Sequence, residues 1–185
     1  MMYTAQQTQH IVITGGPGMG KSSIIAHMTS LDYHCIPEVG RMIIIEQMSN
    51  GGSKLPWVDP FGFAMEMLRQ ATIDYKNATS RQTGDFTFYD RGIPDIMGYL
   101  LLSGIAFPPQ LEEACLNLPY FKKVFITPPW KEIYVNDAER KQSYAEATDT
   151  YEAMRQVYSN LDYTLIEVPK LTVPERTQFI LSQLQ

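Results

Sequence analysis

His10-Ile11-Val12-Ile13-Thr14-Gly15-Gly16-Pro17-Gly18-Met19-Gly20-Lys21-Ser22-Ser23 is the stretch from which the rest of the chain is read. The run from His10 to Thr14 is apolar and β-branched, and it stops at a glycine cluster, as a buried strand does. Gly20 to Ser30 then reads as a helix. Between them, Gly15–Ser22 fits G-x-x-x-x-G-K-[ST] in full. Glycine admits positive φ, so successive N–H groups can turn inward around phosphate oxygens. A helix opening near Gly20 aims its free N–H groups and positive dipole end at the same anion. Lys21 supplies a mobile cation for β and γ phosphates, and the Ser22 hydroxyl is suited to Mg²⁺. The expected nucleotide-binding residues are Gly15, Gly16, Pro17, Gly18, Met19, Gly20, Lys21, Ser22 and Ser23. A chance Gly-rich turn is the bland alternative, and the strand before and helix after the motif argue against it.

Outward from this motif, apolar runs alternate with helical stretches. Strands are expected at Tyr33–Glu38, Phe86–Tyr89 ending at Asp90, Lys123–Thr127 and Tyr163–Val168. Arg41–Met48 is apolar-rich, and Asn50-Gly51-Gly52-Ser53 is a loop signal. From Pro60 to about Thr79, the spacing of Phe61, Ala64, Met65, Leu68, Ala71, Thr72 and Tyr75 predicts a helix packed on one face. Further helices are expected over Pro94–Ser103, Gln110–Leu118, a long stretch ending at Asn160, and from the capping-box start Thr172-Val173-Pro174-Glu175 onward. Five strands separated by helices imply an α/β fold with a mostly parallel sheet. Ligands of such sheets bind outside the carboxyl ends of the strands, which brings Gly15–Ser22, Glu38, Asp90 and Thr127 to one edge.

With 185 residues the expectation is a single domain over 1–185, with 1–9 a flexible tail. Hydrophobic residues make up 44% and charged residues 19%, enough for a core and too little charge for a disordered chain. A net charge of −5 argues against a nucleic-acid partner. Cys35 and Cys115 have no disulfide or zinc spacing and read as reduced thiols. Met1–Gln9 carries no signal pattern, and no window approaches the ~18 apolar residues of a membrane span. The expectation is a cytoplasmic protein with no membrane partner, and a homodimer is retained as a candidate assembly. The ten Met residues are expected to fill core gaps, and His10, His27 and His34 have no metal spacing.

No N/T-K-x-D base-recognition motif of a GTPase is found, and Asp95-Ile96-Met97-Gly98 matches DxxG with no strand before it. A ring-forming AAA+ machine would be larger and would show an apolar strand ending in Asp-Glu, where here it ends in Asp-Arg-Gly. Small-molecule kinases remain. Phe86-Thr87-Phe88-Tyr89-Asp90-Arg91-Gly92-Ile93-Pro94-Asp95 resembles the D/E-R-G-x-P-D signature of the NadR/AAA-28-type P-loop proteins, which include a ribosylnicotinamide kinase module. Pro37-Glu38-Val39-Gly40-Arg41, Asp137-Ala138-Glu139-Arg140 and Tyr158 with Tyr163–Pro169 resemble the same family, so the likeness spans roughly 10–170. The Asp-Arg pair ending the third strand is also similar to that of deoxynucleoside and thymidylate kinases. The resemblance implies a three-layer P-loop NTPase fold of nucleoside- and nucleotide-kinase type, with a lid region at about 128–150. It implies ATP more often than GTP, Mg²⁺, and phosphoryl transfer to a small molecule.

Roles follow from placement. Asp90, at a strand end, is expected to hold Mg²⁺ with Ser22 or to accept an acceptor hydroxyl proton; a helix cap is the alternative. Glu38 is the second carboxylate and competes for the base role. Arg91 contacts acceptor or phosphate, or else forms a structural ion pair. Arg41 positions the acceptor or pairs with Glu38. Asp95 is favoured as a helix cap over a substrate contact. Arg140, with Lys141 beside it, is a lid cation over the transferred phosphoryl or part of a solvated charged face. Trp57 and Trp130 stack on a base or simply pack. The candidate catalytic set is therefore Lys21, Asp90, Arg140 and Glu38, and the candidate acceptor-binding set is Glu38, Arg41, Arg91 and Trp57. The leading expectation is a Mg-ATP phosphotransferase acting on a hydroxyl of a small molecule, a nucleoside among the candidates. A nucleotide-binding regulator or slow NTPase without an acceptor is the alternative.

Overall fold

The computed structural model describes residues 9–80, 86–134 and 143–184. Five strands, β1 (His10–Gly15), β2 (His34–Ile36), β3 (Thr87–Asp90), β4 (Lys123–Thr127) and β5 (Thr164–Glu167), form one sheet in the order β2-β3-β1-β4-β5, and every pairing is parallel. The helices are α1 (Lys21–Ser30), α2 (Val39–Asn50), α3 (Pro60–Ser80), α4 (Ile93–Leu102), α5 (Pro109–Asn117), α6 (Tyr144–Asn160) and α7 (Val173–Ser182), with a short 3₁₀ turn at Lys131–Ile133.

The two-residue period of β1 decides the layering. Ile11 and Ile13 point to one face, where Ile24, Ile25 and Met28 of α1 and Ile180 of α7 complete a core. Val12 points to the other, where it meets residues of α3, α4, α5 and α6, among them Leu68, Leu100, Leu111 and Tyr158. Both faces of the central strands are thus covered, as a parallel sheet requires.

Local expectations shift where packing intervenes. β2 covers only His34–Ile36, so Glu38 does not end a strand as expected but stands as the residue before α2. In α3, Phe63 is buried against Tyr99 at a ring separation of 5.5 Å, while Phe61, expected inside, is exposed. Ala64, Leu68 and Tyr75 keep the i, i+4, i+11 stripe, which Phe61 would continue at i−3; Phe63 lies about 100° round the helix from Ala64 and is buried by its contact with Tyr99, not by the period. Met19, Met28, Met97 and Met154 are buried, whereas Met42 and Met48 are exposed on α2. Asp95–Gly98 lies inside α4, consistent with a chance DxxG match. Of the expected lid, residues 135–142 lie outside the described residues, and 144–150 belong to α6, where Ala147 is fully buried.

Candidate functional site

β1 ends level with β4 and two residues beyond β3. Its register sets Ile13 beside Asp90 of β3 and Gly15 beside Thr127 of β4, so the glycine loop leaves the sheet between two strand termini. Gly15, Gly18 and Gly20 all have positive φ, at 132°, 72° and 81°. Gly20 occupies the N-cap of α1 in the left-handed region, a conformation that an L side chain adopts only at a cost. Gly16 is needed for space instead, because a Cβ there would collide with the carbonyl oxygen of Ala147 in α6.

Lys21 opens α1 and is buried. Its Nζ donates to the carbonyl oxygens of Gly16 at 2.7 Å and Gly15 at 3.2 Å. Burial first and Arg91 second lower its pKa to about 8, against the opposing pull of Asp90, Glu38 and Asp95. The next residue points toward β3: Ser22 Oγ donates to Asp90 Oδ2 at 3.1 Å. Asp90 is 4% exposed, and its Oδ1 is buried with no hydrogen-bond partner. Burial raises the Asp90 pKa, Lys21 opposes that, and Glu38 adds to it.

Mg²⁺ takes one or two carboxylate or hydroxyl oxygens from protein and keeps water or phosphate oxygens for the remainder. Ser22 Oγ and the unpartnered Asp90 Oδ1 fit that donor set. No group of three or more His, Cys, Asp or Glu side chains that could hold a metal occurs among the described residues.

Arg91 follows directly, with φ of 76°. Its backbone N–H donates to Ile13 at 3.1 Å, and its side chain turns back to two carboxylates, Glu38 at 3.1 Å and Asp95 at 3.0 Å. The ion-pair reading of Arg91 therefore describes its observed contacts. Burial acts to lower its pKa, but Glu38, Asp95 and Asp90 together raise it, so it stays charged. Asp95 is more than the expected cap. Besides accepting from the Gly92 N–H at 2.9 Å, it accepts from Thr14 Oγ1 at 2.5 Å and from Tyr158 Oη at 2.6 Å. One carboxylate thus joins β1, the β3–α4 turn and α6.

Sequence reading left out Thr14, Tyr158 in this role, and Arg176. A threonine at the carboxyl end of an otherwise apolar strand was a usable signal for the first; the others have no local signal. Trp57 is 64% exposed in the turn before α3, and Arg41 is exposed on α2. Glu38 and Arg91 converge with Lys21 and Asp90, whereas Trp57 presents its ring to solvent. Trp130 lies under the Arg176 guanidinium at 5.5 Å. Arg140 and Lys141 lie outside the described residues.

The AAA domain family AAA_28 matches residues 10–176, nearly the whole chain and every element of this site. The chain belongs to that family. The fold of this AAA domain is shared with solved P-loop kinases. A deoxyadenosine kinase from M. mycoides is similar at 16% identity and a TM-score of 0.61, covering 95% of this chain and 98% of the other. A thymidylate kinase from Ehrlichia chaffeensis gives 14% identity and 0.64, covering 97% and 100%. A shikimate kinase from Acinetobacter baumannii gives 15% and 0.58, covering 96% and 93%. No curated protein matches the chain in sequence. The AAA domain is therefore an α/β P-loop protein with a nucleotide-kinase-like sheet. No helix among its described residues is long and apolar enough to cross a membrane.

Proposed function

We propose that this AAA domain is a Mg²⁺-dependent phosphotransferase that moves the γ-phosphoryl of ATP to a hydroxyl of a small molecule, with a nucleoside as the leading acceptor class. The observation that carries the reading is the Ser22–Asp90 hydrogen bond beneath the glycine loop, with Asp90 Oδ1 buried and unpartnered beside Lys21. A carboxylate held this way at the mouth of a phosphate cradle is a metal ligand in waiting. The shared fold with kinases named for deoxyadenosine, thymidylate and shikimate supports the reaction class.

The roles divide by burial. Asp90 and Ser22 would hold Mg²⁺, which would supply charge neutralisation for the transferring phosphate. Loop amides and Lys21 orient the same phosphates, so Lys21 exchanges its bonds to Gly15 and Gly16 carbonyls for phosphate oxygens. Glu38 is the general base. It is partly exposed at the start of α2, on the open side of the site, and Arg91 fixes its carboxylate. The acceptor oxygen attacks the γ phosphorus, the bond to the bridging oxygen breaks, and the hydroxyl proton passes to Glu38. Arg91 orients the acceptor, and Arg41, exposed on α2, is assigned to the same task. Arg140, which lies outside the described residues, is proposed as the cation that neutralises charge on the transferred phosphoryl.

The test is acceptor-dependent ADP release across nucleosides, nucleotides and sugars, with GTP as a parallel donor. ADP formed only with an acceptor supports the kinase. Acceptor-independent hydrolysis alone would replace it with a slow NTPase.

A further inference from the structure

The last helix delivers a buried cation to the phosphate loop from the far end of the chain. Arg176, in the first turn of α7, is 5% exposed, and its Nε has no hydrogen-bond partner. Among the described residues no carboxylate pairs with it, and burial alone lowers its pKa. The cause of its position is the packing of α7 along α1, fastened by His27 and Thr177 at 3.1 Å. The guanidinium reaches the N-terminal end of α1, where a Cβ on Gly20 would stand 2.6 Å from Nη1 and 3.2 Å from Nη2. Trp130, in the loop after β4, backs it at 5.5 Å.

Burying a charge without a counter-charge is costly. Here two cations, Lys21 and Arg176, are buried at one helix terminus whose dipole is itself positive; Asp90, Glu38 and Asp95 act on Lys21, whereas no carboxylate among the described residues pairs with Arg176. A ligand carrying several negative charges offsets both cations and the dipole. The guanidinium is a planar fork that matches phosphate oxygens, and an aromatic face holds its plane without consuming its donors.

We infer that Arg176 is a nucleotide-binding residue: its guanidinium donates to the phosphate chain of a nucleoside triphosphate seated at the Gly20 end of the loop, with Trp130 fixing its plane. The inference rests on the reading of the loop as a triphosphate cradle, and adds to it a ligand 156 positions from Gly20. A purely structural Arg176 would instead tie α7 to the β4 loop and have no effect on nucleotide.

The experiment is calorimetric titration of Mg-ATP into the full chain at fixed salt, for wild type, Arg176→Gln and Arg176→Lys, with thermal unfolding of each free protein. We expect Arg176→Gln to weaken ATP binding about 10- to 100-fold, the range of a lost charge-assisted contact. Its free form should melt no lower than wild type, because an uncompensated buried charge has gone. Arg176→Lys should lose several-fold, keeping the charge but not the fork. Unchanged affinity in a folded Gln variant, or a lowered melting temperature with unchanged affinity, overturns the assignment. Should the Gln variant not fold, the Lys variant decides: a several-fold loss supports the role and equal affinity overturns it. Wild-type protein that takes up no Mg-ATP overturns the cradle itself and this inference with it.

Discussion

Thr14 Oγ1 donates to Asp95 Oδ1 at 2.5 Å, so the last residue of β1 before the glycine loop is tied to the first turn of α4 across 81 positions of sequence. The same carboxylate oxygen accepts from Arg91 Nη1 at 3.0 Å, and its twin accepts from Gly92 and Tyr158. Loop entry, the left-handed Arg91 and the α6 wall are therefore one hydrogen-bonded unit, and moving any of them moves Arg91 relative to Glu38.

Asp95→Asn keeps the shape but replaces one acceptor oxygen with a donor that faces other donors. We expect a loss of about 2–4 kcal/mol, since each stranded buried partner costs about 1–3 kcal/mol. For a chain of this size that lowers Tm by roughly 5–15 °C. Denaturant unfolding followed by circular dichroism measures it, and a change under 1 kcal/mol would contradict the shared-acceptor account.

Lys21→Met should separate binding from stability. Burial already lowers the Lys21 pKa to about 8, a sign that its charge is poorly solvated in the free protein. Removing it should leave Tm equal to or above wild type, with a gain up to about 3 kcal/mol, while ATP binding and turnover are lost. A large drop in Tm would mean that its bonds to Gly15 and Gly16 outweigh the burial cost.

The two carboxylates should fail differently. Asp90→Asn is expected to raise the Mg²⁺ concentration needed for half-maximal rate. Glu38→Gln should leave that requirement in place and lower kcat about 10²–10⁴-fold. Steady-state rates against free Mg²⁺ distinguish them, and equal shifts in both variants would reverse or merge the assigned roles.

His10 should make the protein acid-sensitive. Its Nδ1 is 2.6 Å from Tyr89 Oη, its Nε2 3.1 Å from Thr79 Oγ1, and its ring stacks on Tyr75 at 4.2 Å. Burial, then His34, lowers its pKa from 6.5 to about 4. The unfolded chain therefore binds a proton between those values that the folded chain refuses. Stability is fully present above pH 6.5 and falls as pH drops toward 4, by about 3 kcal/mol for this group. Urea unfolding at pH 7, 5.5 and 4.5 should show that slope, and His10→Gln should flatten it.

Legibility followed the range of the forces involved. β1, the glycine loop and α1 could be read because strand, turn and helix start are each specified by neighbours a few residues away. Lys123–Thr127 was read to the residue, an apolar run cut by Pro128 and Pro129. The ends of β2 were not, since an edge strand of three residues is set by what β3 offers it rather than by its own composition. Phe61 and Phe63 are equally apolar and two apart, and only the contact with Tyr99 chose between them. The network on Asp95 was hidden, because a residue three positions after Gly92 reads as a helix cap whether or not Thr14 and Tyr158 arrive. Arg176 gave no sign at all within its Pro-Glu-Arg-Thr helix start.

The amino-acid order by itself determined a parallel α/β sheet and a phosphate-shaped loop, because hydrophobic period and glycine spacing act over a few bonds. It also supplied the carboxylates Glu38 and Asp90 without deciding between them. Tertiary packing set their surroundings apart: Asp90 is buried and bonded to Ser22, Glu38 is partly exposed and paired with Arg91, and Arg176 is a neighbour of Gly20. Burial and charge pairing depend on which distant side chains meet, and those meetings exist only once the layers close on the sheet.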